Sequence, residues 1–209
     1  MRNSNKELKI KVCGMRDAEN IQQLLTLTID YIGFIFYSKS ARFVSRKPEV
    51  SIPSSIKKVG VFVNASKEEI QEKIEEFDLQ VVQLHGDESP EFCQEIQDLG
   101  VETFKAFGID EDFDWATIAA YEGKVDYFLF DTKSNQYGGT GQTFTWEKLK
   151  DYPYQNPYWL SGGISLENIK EAANFEDNRL YGLDLNSKFE IKPALKNIQS
   201  LTQAISIIK

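Results

Sequence analysis

The chain is poor in histidine and cysteine: His85 stands alone, and Cys13 and Cys93 are the two thiols among 209 residues. One histidine excludes a His-cluster metal site and leaves a Ser-His-Asp triad a single candidate base. No Cys-x-x-Cys pair exists either, so no metal is expected. Two cysteines in a long chain without extracellular signals read as free thiols and not as a disulfide. There is no run of about 18 apolar residues, which argues against a membrane span. The polar start, Met1-Arg-Asn-Ser-Asn-Lys-Glu7, lacks the apolar core of a signal peptide, and the expected location is cytoplasmic. Basic residues are outnumbered, 24 Lys and Arg against 32 Asp and Glu, for a formal net charge of -8. That balance argues against nucleic acid as a partner. A small anion held by a few local cations and backbone amides stays compatible with it.

What is present fits one globular core. Hydrophobic residues make up 41% and charged residues 27%, and the length suits a single domain over residues 1–209. Apolar runs at Leu8–Cys13, Tyr31–Phe36, Val59–Val63, Val81–His85, Thr103–Phe107, Val125–Phe130, Tyr158–Leu160 and Leu180–Leu185 read as strands. Helices are predicted between them. Asp17 caps the first. Pro48 and Pro53 bracket a short or irregular second. Ser66 with Glu69 forms a capping box for a helix to Phe77, and Ser89-Pro90 opens one ending at Gly100. Further helices are expected over Phe113–Tyr121, after Thr145, from Ser165 to about Ala173, and from Ala194 to Ile207. Strict βα alternation implies parallel strands with right-handed crossovers. Eight such units fit a closed (β/α)8 TIM barrel, an α/β fold. The competitor, an open doubly wound sheet, usually carries Gly-x-Gly-x-x-Gly after its first strand; this chain has Cys13-Gly-Met-Arg-Asp there.

In a barrel, active-site residues sit at the C-terminal strand ends. Those ends hold Cys13, Arg42 in the second loop, His85, Asp131, the glycines Gly139 and Gly141, the pair Gly162-Gly163, and Asp184 to Ser187. Each has a plainer reading. Cys13 is also a small buried hydrophobe; flanked by Lys11 and Arg16, however, its thiol pKa of about 8.5 is expected to fall toward that of a neutral-pH base. Asp131 caps a turn, or, partly desolvated at the end of a buried strand, keeps its proton as a general acid. His85 bonds a loop carbonyl or contacts substrate. Arg42 is a solvated charge or a ligand for carboxylate or phosphate. Cys93 falls mid-helix on an apolar spacing and is expected to be inert. Gly162-Gly163 ahead of a capped helix offer free amides to a phosphate, and the loops after strands seven and eight are a frequent phosphate site in barrels.

Taken in order, these segments resemble phosphoribosylanthranilate isomerase, a tryptophan-pathway family. Lys11-Val-Cys-Gly-Met-Arg16 resembles its opening motif. Gly33-Phe-Ile-Phe-Tyr-Ser-Lys-Ser-Ala-Arg-Phe-Val44, Val59–Val63 and Gln83-Leu-His-Gly-Asp-Glu88 follow in the family's order. So do Phe130-Asp-Thr132 with Gly138–Gly141 and Phe144-x-Trp146, and Ser161-Gly-Gly-Ile164 with Glu167-Asn168. The resemblance implies a (β/α)8 barrel that carries out an Amadori rearrangement on a small phosphoribosyl substrate, with no cofactor. It makes Cys13 the general base and Asp131 the general acid, and puts Arg42 and Asp184 near the anthranilate. His85 joins the substrate-binding set, and Gly139, Gly141, Gly162, Gly163, Ser187 and Lys188 the phosphate set.

The chain departs from the family at Asp184-Leu-Asn-Ser-Lys-Phe-Glu190, where Lys188 stands in place of a glycine. Loss of that glycine weakens backbone binding of phosphate, whereas the lysine adds charge attraction. Two other readings are a metal-dependent sugar-phosphate epimerase on the same fold and a non-catalytic barrel serving as a partner surface. The lack of a His cluster argues against the first, and retention of Cys13 and Asp131 against the second. The assembly expected is a monomer or a homodimer.

Overall fold

The computed structural model describes residues 7–132 and 146–209. Eight parallel strands close into a barrel in sequence order. They are β1 (Lys9–Val12), β2 (Tyr31–Ile35), β3 (Lys57–Phe62), β4 (Val81–Leu84), β5 (Glu102–Ile109), β6 (Tyr127–Thr132), β7 (Tyr158–Ser161) and β8 (Leu180–Leu185). The seam closes by β1 pairing with β8, Lys11 opposite Asp184.

The period-two alternation of the strands separates two cores. One face of each strand feeds an inner cluster in which Tyr31, Val59, Val81, Phe104, Leu129 and Trp159 fill the barrel. Trp159 is fully buried and meets Tyr31 edge-on at 4.8 Å between ring centroids. Removing so large a side chain costs about 3–5 kcal/mol. The other face, with Ile10, Val12, Ile32, Phe34, Val82, Leu84, Phe128, Phe130, Leu183 and Leu185, packs under the outer layer. Strands buried on both faces explain why these segments read as near-continuous apolar runs.

The outer layer is lean. Its helices are α1 (Ala18–Leu24), α2 (Lys67–Phe77), α3 (Pro90–Gln97), α4 (Ile169–Ala173) and α5 (Ile198–Ile208), with 3-10 turns at Trp115–Tyr121 and Trp146–Asp151. Three predicted starts hold. Asp17 accepts from the Asn20 N–H, Ser89 caps α3 with Pro90 behind it, and Ser66 and Glu69 bond reciprocally as a capping box. Each such cap stabilises its helix by about 1 kcal/mol.

Four expectations are corrected. The Pro48–Pro53 segment holds no helix and follows turns such as Val50 N–H to Pro48 C=O. Prolines remove donors, and too few residues lie between them to nucleate a helix. The Phe113–Tyr121 segment winds as a 3-10 turn from Trp115. Ser165 does not cap α4: its own N–H donates to Asn168 Oδ1, and the helix starts at Ile169 without a side-chain cap. The last helix begins at Ile198, capped by Asn197, not at Ala194. The residues before it form an antiparallel hairpin of β9 (Glu190–Lys192) and β10 (Leu195–Lys196). Its turn takes Ala194 to φ 65°, a left-handed conformation that breaks helical continuation. Thr145, expected to cap a helix, lies outside the described residues, as do Gly139 and Gly141.

Candidate active site

The same alternation decides what points into the barrel mouth. Lys11 lies between Ile10 and Val12, Gln83 between Val82 and Leu84, and Asp184 between Leu183 and Leu185, all outer-cluster neighbours. These three polar side chains therefore face inward, and all are buried. One step of two further on, in the same phase, come Cys13 on β1, His85 on β4 and Asp131 on β6. Residues far apart in sequence thus meet at the C-terminal strand ends, as expected of the fold.

Lys11 Nζ donates to Asp184 Oδ2 at 2.8 Å, with side-chain exposures of 0% and 4%. Burial works against the Lys11 ammonium, but the Asp184 carboxylate and the Cys13 thiol outweigh it and hold its pKa above the ordinary lysine value. Burial drives Asp184 the other way, toward a protonated acid, and Lys11 offsets only part of that. The two partners thus point to different charge states. The close, well-directed contact decides for the ion pair, because two neutral groups would leave both buried without charge compensation. Asp184 Oδ1 is buried with no donor among the described residues. An orphaned carboxylate oxygen at the mouth of a barrel is an acceptor waiting for an N–H or O–H.

Cys13 is buried, and its space exists because β2 carries Gly33. A Cβ on Gly33 would lie 2.7 Å from Cys13 Sγ and 3.1 Å from Cys13 Cα. The predicted lowering of the thiol pKa is corrected. Burial raises it, with Lys11 and Lys196 pulling down and Asp184 pushing up, and burial wins. Arg16, expected to help, is turned away, with Nη1 donating to Phe43 C=O at 3.3 Å.

Asp131 is less buried than expected, its side chain 38% exposed, with Oδ2 3.6 Å from His85 Nε2. That is too long for a hydrogen bond. Among the described residues, the bond of the His85 ring is to Gln83, with Nδ1 2.9 Å from Nε2, and not to a loop carbonyl. Asp184 senses the charge of Asp131, and Cys13 senses that of Asp184. Thiol and acid therefore open on one mouth, with the Lys11–Asp184 pair between their fields. Cys93 is buried away from it, its thiol pushed up to about 12 chiefly by burial.

The glycines Gly162 and Gly163 after β7 take φ 80° and 63°, conformations that side chains resist. Ser187 and Lys188 begin a three-residue 3-10 turn after β8 and are exposed. Lys188 is close enough for its charge to act on Glu167. The helix expected to begin directly behind these glycines is five residues long and starts only at Ile169. Among the described residues no group of three His, Cys, Asp or Glu gathers as a metal site. A cavity of about 620 Å³ lies elsewhere, between Arg16, Arg46 and Lys192. Chemistry, not volume, marks the mouth.

Several contributors escaped sequence reading. Gln83 was a polar residue inside an apolar strand, which was the available signal, and Lys11 was read as a neighbour of Cys13 but not as the partner of Asp184. Glu88 and Lys105 form a buried pair that also bonds the backbone of Gly86, bracing the turn after His85. Glu190 holds Arg42, and Lys196 holds Glu190, through contacts that no local pattern announces.

A closed parallel barrel with a thiol after β1, a carboxyl on β6 and a buried ion pair gathered at the C-terminal strand ends belongs to the class of (β/α)8 barrels. Comparison with known proteins narrows that class. The model of the family described as N-(5'phosphoribosyl)anthranilate (PRA) isomerase matches residues 10–206. The N-(5'-phosphoribosyl)anthranilate isomerase of Parabacteroides distasonis is 48% identical over 204 residues, covering 95% of this chain and 92% of its own. The crystal structure of the phosphoribosyl anthranilate isomerase of Thermotoga maritima superposes with a TM-score of 0.83 at 32% identity, covering 96% of this chain and 98% of that one. A second structure of such an isomerase, in complex with reduced 1-(o-carboxyphenylamino)-1-deoxyribulose 5-phosphate, gives 0.81 at 29% identity with the same coverage. The chain belongs to the phosphoribosylanthranilate isomerase family.

Proposed function

We propose that this chain catalyses the Amadori rearrangement of N-(5'-phosphoribosyl)anthranilate to 1-(2-carboxyphenylamino)-1-deoxyribulose 5-phosphate, a step of L-tryptophan biosynthesis, by general acid/base catalysis. The observation that carries the reading is the convergence of Cys13 and Asp131 on one barrel mouth, with Asp184 charge-coupled to both.

Ring opening needs a proton on the ribose ring oxygen, and Asp131 in its acid form delivers it. The iminium that results makes the C2' hydrogen acidic. The Cys13 thiolate removes that proton, and the enolamine tautomerises to the ketone. One proton is given and one taken, so the cycle closes when Cys13 returns its proton to solvent and Asp131 regains one. The donor-less Asp184 Oδ1 supports a contact with the substrate's amine or hydroxyl. Arg42 is assigned to the anthranilate carboxylate, and His85 to the substrate beside Asp131. The phosphate is assigned to the amides of Gly162-Gly163 with Ser187 and Lys188; Gly139 and Gly141 of the family's strand-six loop complete that assignment. The protein acts in the cytoplasm as a monomer or a homodimer, a choice that analytical ultracentrifugation decides.

The test is complementation of a tryptophan auxotroph lacking this isomerase, together with turnover by the purified protein. Growth and ketone formation are expected. A purified, folded chain that leaves the substrate unchanged overturns the reading.

A further inference from the structure

The β9–β10 hairpin, absent from the pattern of the sequence, encloses a carboxylate. Glu190 is 4% exposed in its side chain, yet it sits at the rim where Arg42 reaches over the first strand end. Arg42 Nε lies 2.9 and 3.1 Å from the two Glu190 oxygens, and Nη2 donates to Oε2 at 2.6 Å. From the opposite side Lys196 Nζ donates to Glu190 Oε1 at 2.7 Å, and the Ala194 N–H to the same oxygen at 3.1 Å. Lys196 also donates to Asn186 Oδ1 at 2.7 Å, which ties the hairpin to the end of β8.

The hairpin that offers this carboxylate is itself fixed. Asn20 of α1 accepts from the Lys196 N–H at 2.7 Å and donates to its C=O at 3.0 Å. The Asn197 N–H donates to Phe189 C=O at 2.8 Å. The Arg42 stem lies against Gly14, where a Cβ would come within 2.7 Å of Arg42 Cδ and 3.0 Å of Asn186 Oδ1. The guanidinium is therefore clamped from one edge, its floor the backbone beside Cys13. Nη1 enters no hydrogen bond among the described residues, so one arm of the fork stays open for a second anion.

We propose that Glu190, braced by Lys196, is a positioning residue that aims Arg42 at the carboxylate of the anthranilate ring. This rests on the assignment of Arg42 given above. A guanidinium free to sample its rotamers would lose that freedom on every binding event, at a cost in affinity. A guanidinium already bound along its Nε edge has lost it on folding. Because the carboxylate is remote from the reacting carbons, its contact is the same in ground and transition states. Glu190 should then act on KM and not on kcat.

The experiment is steady-state kinetics of Glu190→Gln, alone and combined with Arg42→Ala, using N-(5'-phosphoribosyl)anthranilate. The amide keeps the shape but presents an NH2 to the guanidinium. A KM about tenfold higher with kcat within twofold of wild type is expected, and no further KM change in the Arg42→Ala background, as for two residues acting through one contact. An unchanged KM, equal losses in kcat and kcat/KM, or additive effects with Arg42→Ala overturn the proposal. If the amide variant does not fold, Glu190→Asp carries the same test with a KM rise of about threefold. Wild-type turnover in the same assay separates failure here from failure of the functional reading.

Discussion

Replacing Lys11 with methionine removes the ammonium from the middle of the barrel mouth and leaves Asp184 charged and buried. At 2.8 Å and an effective dielectric of about 20, the direct attraction is about 6 kcal/mol. Most of that offsets the desolvation of the two groups, so it is not the quantity a variant reads. The uncompensated carboxylate is, and breaking a buried pair from one side costs about 3–5 kcal/mol. Against a total stability of roughly 5–15 kcal/mol, that is a large fraction. For a chain of this size it corresponds to a Tm lower by roughly 6–20 °C. Urea unfolding measures it directly, with the slope unchanged and the midpoint displaced. Adding Asp184→Asn to Lys11→Met removes the stranded charge and should return at least half of the loss. A Lys11→Met variant within about 1 kcal/mol of wild type would falsify the account of the mouth as held by this ion pair. A double variant no more stable than the single one would do the same.

Three further outcomes follow from the geometry. In wild type the reaction needs a deprotonated thiol and a protonated carboxyl at once, whereas Asp131→Asn isolates the thiol. Burial raises the folded thiol above its ordinary 9.0, so the thiolate appears only as pH rises; residual kcat/KM of that variant should climb about tenfold per unit past pH 8, and a plateau below pH 8 refutes the buried thiol as base. Gly33→Ala places a methyl 2.7 Å from Cys13 Sγ and should cut kcat by about 100-fold through misplacement of the base, while an unchanged kcat shows that the thiol need not sit there. Exhaustive treatment with EDTA should leave activity intact, and loss reversed by a divalent ion would point to metal chemistry instead.

How much of this was legible depended on the range of the interactions. Strand positions were readable because alternation and apolar runs are local, and the barrel followed from their even spacing. Asp17, Ser66 and Ser89 were readable as caps because a cap is a contact within one turn. Ser165 looked the same yet does the reverse, since its own N–H donates to Asn168 Oδ1. The thiol's environment was misjudged because neighbours in sequence, Arg16 above all, were taken as neighbours in space. Lys11 does help Cys13, but burial by Gly33's strand outweighs it, and burial is not written at any one position. Glu190 reaches Arg42 across 148 positions and is itself held by Lys196, through a hairpin whose short strands carry too few residues for a periodic signal.

The central claim is that Cys13 and Asp131 exchange protons with the substrate as base and acid. Single-turnover conversion of N-(5'-phosphoribosyl)anthranilate by folded wild type, Cys13→Ser and Asp131→Asn tests it most directly. The account predicts that each variant keeps its fold and its substrate affinity but loses about 10²–10⁴-fold in the rate of ketone formation. A rate within a few-fold of wild type in either variant, with lowered thermal stability, would contradict it and make that residue a support of the loop.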